Sequence, residues 1–220
     1  MKITKITLGF VAAAFLFSCA GSQNQKGSVS CEEYNYETAV KDCVSNKQLP
    51  KGYFLREVIP YEAKNKMEEN MLSQFASYNT ALLRGDFDNA CRYQYKDAVK
   101  YFRKFYPGES DDNIMRIFFA SVSEEMVQTI NKYRDNGINL DIVVSRILRK
   151  VSQGDDVIYV FEIVSNMVGE KLQLHTTPDK TIAVSANGGK NWTFNAVNED
   201  TPNIMRISYT EDIIDKVMGY

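Results

Sequence analysis

The hydrophobic period of this chain changes once, at Gly137, and that change constrains the fold more than any other feature. Before it, apolar residues recur every three or four positions. After it, they alternate. The first spacing paints a stripe along a helix, and the second paints one face of a strand. Helices therefore come first and strands follow. This order predicts an α+β fold, with the N-terminal helices packed on one face of a curved antiparallel sheet. With 220 residues, 44% of them hydrophobic and 25% charged, the chain can bury a core without metal or disulfide staples. The same balance excludes a mainly disordered chain.

The helical half has three stripes. Glu62 to Arg84 carries Met67, Met71, Phe75, Tyr78 and Leu82 on one face. Gly85 ends that helix, and Asp86 is a good N-cap for the next. The spacing predicts a second helix from Phe87 to Phe105, with Phe87, Cys91, Tyr95, Ala98, Phe102 and Phe105 on one side, stopped by Pro107-Gly108. Ser110 caps a third helix, and Asp111 and Asp112 complement its dipole. Its stripe is Met115, Phe118, Val122, Met126, Ile130 and Tyr133, and Asn136-Gly137 is its stop. A short last helix runs from Thr210 to Met218.

The strand half begins with the alternation of Ile138 to Ser145. Gln153-Gly154-Asp155-Asp156 is a turn. Val157 to Val164 is apolar nearly throughout, as in a central strand covered on both faces. Lys171 to Thr177 alternates again. Thr181 to Ala186 and Asn191 to Val197 flank Asn187-Gly188-Gly189, a strong hairpin signal. The helices can cover one face of Val157–Val164. The other face falls to residues 31–61, to residues 198–220, or to a second subunit in a homodimer.

Residues 1–18 look like a targeting device. Lys2 and Lys5 form a basic start, and Ile6 to Phe17 form an apolar run of about twelve residues. A membrane span needs about 20. Leu16-Phe17-Ser18-Cys19 resembles the bacterial lipobox, with Phe17 departing from the usual small or β-branched residue. That resemblance implies that Cys19 becomes the acylated N-terminus of the mature chain. Residues 19–30 are small and polar, and read as a flexible tether. No acidic cluster follows Cys19. Such clusters resemble the surface-export signal of some Bacteroidetes lipoproteins. The expected place is therefore the cell envelope, lipid-anchored, at the outer membrane facing the periplasm. An exported chain permits disulfides, and Cys31 with Cys43 is the candidate pair. Cys91 reads as a buried, inert thiol.

Residues 31–61 form an N-terminal appendage, 62–197 the α+β unit, and 198–220 a helical extension. Within the unit, Ala81-Leu82-Leu83-Arg84-Gly85-Asp86-Phe87-Asp88-Asn89-Ala90 resembles the helix, Gly-Asp, helix start of the nuclear transport factor 2-like superfamily. Asn187-Gly188-Gly189-Lys190-Asn191-Trp192 with Phe194 is similar to its late hairpin. The resemblance implies a cone-shaped fold, sometimes with an internal pocket. It implies functions from polyketide cyclases and dehydratases to binding modules, so the fold alone does not name an activity.

Enzymes of that superfamily often set a His/Asp or Tyr/Asp pair inside the cone. His175, the only histidine, shares a strand face with Lys171 and Gln173, which reads as solvated. Asp97 and Tyr101 are one helical turn apart, with Tyr93 a turn before. They run along a face different from Cys91, Ala98 and Phe102, which reads as a half-exposed polar flank. The candidate pocket residues are Tyr95, Asp97, Tyr101 and Trp192. Ser185 to Trp192 also resembles the hairpin box of sialidase propellers, with Asn187 in place of the acid. A single copy argues against a propeller. One histidine excludes multi-histidine metal sites, and no phosphate loop, nucleophile elbow or zinc pattern appears. No cofactor, no metal and no catalytic residue is expected. A net charge of −2 gives no footprint for nucleic acid. The expected function is non-enzymatic binding of a small apolar ligand or an envelope protein partner. The alternative is a small pocket isomerase, dehydratase or hydrolase using the Asp/Tyr pair.

Overall fold

A computed structural model describes residues 58–117, 139–169, 172–175 and 178–220, together with 127, 128, 131, 134, 135 and 137. For 167–169 and 172–175 it describes the backbone alone. Cys19, Cys31, Cys43, most of the third stripe and the side-chain face of His175 lie outside the described residues.

The first helix, α1, is Lys66–Arg84. It starts four residues after Glu62 because Asn65 is the cap, its side chain accepting from the Glu68 amide. Gly85 closes it with φ of 70° and an amide bonded to the last carbonyls. Met71, Phe75, Tyr78 and Leu82 are buried as the stripe requires, and Met67 is half-buried.

Glu68, also buried, gathers three donors: the Tyr61 hydroxyl at 2.8 Å, the Lys64 amide at 2.8 Å and the Asn65 side-chain amide at 3.0 Å. Burial pushes this carboxyl up, but those hydrogen bonds and the Lys64 charge outweigh it, and its pKa is lowered from 4.5. Burial and the Glu68 bond push the Tyr61 phenol up to about 12. A carboxyl with a depressed folded pKa stabilises above its unfolded pKa, and that contribution is lost as pH falls through the folded value. Glu68→Gln should therefore cost about 1–3 kcal/mol at neutral pH. Urea titrations at descending pH should show the difference from wild type shrinking below about pH 4. A constant difference would contradict the charged bond.

The expected second helix is two helices. Phe87–Cys91 forms α2 and Lys96–Arg103 forms α3. Between them the chain runs along the edge of a strand: the Tyr95 amide donates to the Phe194 carbonyl at 3.1 Å, and the Phe194 amide to the Tyr93 carbonyl at 2.7 Å. An open strand edge offers bonds that a continuous helix would leave unmade. Tyr95, Ala98 and Phe102 are buried as the stripe requires, but two expectations are corrected. Phe105 lies beyond the end of α3 and is 45% exposed rather than on the buried side. Cys91 is half-buried rather than fully buried, and its thiol is free. The next helix, α4, covers residues 111–117, with Ser110 Oγ accepting from the Asn113 amide and Ile114 and Met115 buried.

The sheet has five antiparallel strands: β1 Asn139–Gln153, β2 Asp156–Gly169, β3 Leu172–His175, β4 Asp179–Ser185 and β5 Thr193–Ala196. Their order is β1-β2-β4-β5, and β3 pairs with the far end of β2. The first strand extends eight residues past Ser145, with register shifts between Val144 and Arg146 and between Ile147 and Arg149. Such bulges bend a strand and hide its alternation from a period-two reading.

Both faces of β2 are covered within the chain. On one side Tyr159 and Phe161 meet α1: the Phe75 ring lies 4.9 Å from Phe161 edge-on, and 5.1 Å from Phe194. On the other, Ile158 and Val160 are buried, beside their register partners Val151 and Arg149. There Arg149 Nη1 donates to the Val217 carbonyl at 3.1 Å. Val217 belongs to α6, Glu211–Met218, which packs on β1 and β2 together with the buried Ile213 and Ile214. The preceding α5, Thr201–Met205, buries Ile204 and Met205. Residues 198–220 are therefore a cover for that face. The period reading missed α5, although Asp200 followed by Pro202 is an N-terminal helix signal.

Candidate functional site

Asp97 occupies the first turn of α3 and is 4% exposed, not on a half-exposed flank as its spacing suggested. Its Oδ2 accepts from the Tyr95 hydroxyl at 2.9 Å, and its Oδ1 from Lys100 Nζ at 2.7 Å. Burial, then the Asp97 charge, push the Tyr95 phenol strongly upward, so it stays protonated and donates. Tyr101 does not join this pair. Its hydroxyl donates to Asp200 at 2.8 Å, and Lys104 Nζ lies 3.4 Å from its ring centre.

Tyr209 brings a second phenol–carboxylate pair into the same region, donating to Asp156 at 2.9 Å. Burial raises its pKa first, then the Asp156 bond, and the charge of Asp97 adds to it. These contacts tie the C-terminal segment to α3 and to the start of β2. Asp156, Asp200 and Tyr209 carried no motif that would have singled them out. They meet through chain separations of 53 and 99 residues.

Trp192 serves the hairpin. Its indole donates to the Gly189 carbonyl at 3.1 Å and its ring packs 5.5 Å from Tyr159. Ser185 Oγ accepts from the Gly189 amide, and Asn187 Oδ1 from the Asn191 amide, both at 2.9 Å. Asn70 and Gln74 of α1 bond the Gly189 and Lys190 carbonyls at 2.7 and 2.9 Å. A Cβ on Gly189, at φ +85°, would stand 2.7 Å from Met67 Cγ, so glycine is required there.

The four expected pocket residues thus divide. Tyr95 and Asp97 come together, Tyr101 turns to Asp200, and Trp192 locks a turn. Between α1 and the sheet, Phe75, Tyr78, Phe161 and Phe194 fill the interior with ring contacts of 4.9 to 6.4 Å. A depression bordered by Gln94, Ala98, Val99, Phe102, Ile114 and Met115 has no room for a water molecule. Two buried polar side chains stand apart from every network: Asn79 on α1 and Thr181 on β4 have no hydrogen-bond partner among the described residues.

Asp97→Ala should lower stability by about 1–3 kcal/mol, because the buried Tyr95 hydroxyl loses its acceptor. Denaturant midpoints measure this. An unchanged midpoint would contradict the structural pairing and return Asp97 to the list of reactive groups.

Among the described residues, no group of His, Cys, Asp and Glu is arranged to hold a metal ion. No described helix is long and apolar enough to cross a membrane. No family model, curated protein or solved structure matches this chain.

Proposed function

We propose that the chain is a lipid-anchored cell-envelope protein whose α+β unit, of the nuclear transport factor 2-like kind, binds a small apolar ligand or an envelope protein without catalysing a reaction. The anchor is Cys19, at the outer membrane facing the periplasm, and the tether of residues 19–30 holds the unit near that surface. Two or more acyl chains supply the multiple anchors that stable attachment requires.

The observation that carries the non-enzymatic reading is the fate of the acid–phenol pairs. Asp97, Asp156 and Asp200 each accept a tyrosine hydroxyl at 2.8–2.9 Å. A general base needs a free lone pair within reach of a substrate proton. Here each carboxylate holds a phenol that fastens the C-terminal segment or α3, and the interior between α1 and the sheet is filled with aromatic rings.

The test is intact-mass spectrometry of the full chain extracted from native membranes. The expected result is an N-terminus at Cys19 carrying diacylglyceryl mass, with Cys19→Ser moving the protein to the soluble fraction. A soluble, unacylated product would overturn the anchor. Loss of a measurable turnover on Asp97→Asn, at unchanged stability, would overturn the non-enzymatic reading.

A further inference from the structure

We propose that Met67 is a site of reversible sulfoxide modification, made by a hydroperoxide at the joint between α1 and the β4–β5 hairpin and confined to one epimer by the Tyr159 hydroxyl. This goes beyond the binding reading above and does not depend on it. Tyr159 is 1% exposed, and among the described residues its hydroxyl has one acceptor, the Met67 sulfur at 3.9 Å. Thioether sulfur is a weak acceptor. Tyr61, Tyr95, Tyr101 and Tyr209 instead give their hydroxyls to carboxylates.

Met67 is half-buried, so solvent reaches it, while Met71, Met115 and Met205 are buried. Its side chain lies across the hairpin turn. A Cβ on Gly189 would stand 2.7 Å from Met67 Cγ and 3.2 Å from its Sδ and Cε. The thioether therefore packs directly on the turn whose Gly189 carbonyl accepts from Asn70 and from the Trp192 indole. The Tyr159 ring that bonds the sulfur also packs on Trp192. One sulfur atom thus touches α1's grip on the hairpin and the strand beneath it.

Oxidation by hydrogen peroxide or an alkyl hydroperoxide is a two-electron step. A sulfur lone pair attacks a peroxide oxygen, the O–O bond breaks and an S–O bond forms. The transferred oxygen passes its proton to the departing oxygen, which leaves as water or an alcohol. Sulfur is oxidised and the peroxide is reduced. A thioether sulfur carries a second lone pair beside the one that faces Tyr159. The hydrogen-bonded one is shielded, so oxygen adds at the other, and the chiral product forms in one configuration. A polar group then stands where an apolar one packed on Gly189, which changes the seating of the hairpin on α1. Sulfoxide reductases restore the thioether, one enzyme for each epimer.

The test treats the full chain in detergent with hydrogen peroxide, and peptide mass spectrometry locates the added oxygen. Trp192, the only tryptophan, reports the joint by its fluorescence. The expected result is oxygen at Met67 together with a shift in Trp192 emission. Both epimer-specific reductases, added to the oxidised chain, should return the emission. After digestion, one reductase alone should clear the Met67 peptide. Met218, also half-buried but with no hydroxyl bonded to it among the described residues, should need both. Tyr159→Phe frees the second lone pair, so its Met67 peptide should need both as well. Met67→Leu should lose the emission shift while other methionines still oxidise. Leu for Met conserves volume and should fold, which circular dichroism checks, and this variant keeps the test open if Tyr159→Phe misfolds. An unmodified Met67 under peroxide that oxidises Met218, an emission shift that persists in Met67→Leu or resists both reductases, or a wild-type Met67 sulfoxide divided between the epimers would overturn the proposal.

Discussion

Phe161→Asp is expected to unfold the protein rather than to change its assembly. Phe161 is fully buried, its ring edge-on to Phe75, at the centre of the strand that both layers cover. A carboxylate there has no cation to pair with, and an uncompensated buried charge costs roughly 3–5 kcal/mol. Losing the ring adds a cavity of similar cost, about 3–5 kcal/mol. Together these approach the whole stability of an ordinary domain, about 5–15 kcal/mol. Far-UV circular dichroism should show the sheet lost at room temperature. A folded variant whose light-scattering mass has halved would mean that this face seals a subunit interface, and would contradict a cover made from residues within one chain.

Trp192→Ala should be the largest loss among simple truncations outside α1, at about 3–5 kcal/mol. The indole is buried against Tyr159, and its N–H satisfies the Gly189 carbonyl inside a turn that α1 also grips through Asn70 and Gln74. Removing it opens a cavity and frees the hairpin from the helix at once. Guanidinium unfolding should show a lower midpoint with a similar slope, as expected when stability changes but the exposed area does not. A small effect would mean that Trp192 lines a space for a ligand rather than holding the hairpin.

Much of the architecture was legible because it is local. The α1 stripe follows from a 3.6-residue period, and its buried face is the one that Met71, Phe75, Tyr78 and Leu82 mark. The Asn187-Gly188-Gly189 turn needs backbone angles that glycine permits, so it could be read without knowing its neighbours. The nearly continuous apolar run of Val157 to Val164 required two covered faces, and two covered faces are found. The switch of period at Gly137 determined the order of helices and strands.

What the tertiary structure decided are the features that depend on distant partners. Nothing in the spacing of Phe87 to Phe105 reveals that β5 has an open edge 100 residues later, so the split into α2 and α3 could not be read. The burial of Asp97 beside Tyr95 likewise appears only in the packed structure. The pairing of Tyr101 with Asp200 and of Tyr209 with Asp156 spans separations over which sequence carries no periodic signal. Local periods determine which elements form. Which acids are satisfied, and which amide is left without a partner, is settled only when elements far apart in the chain are packed together.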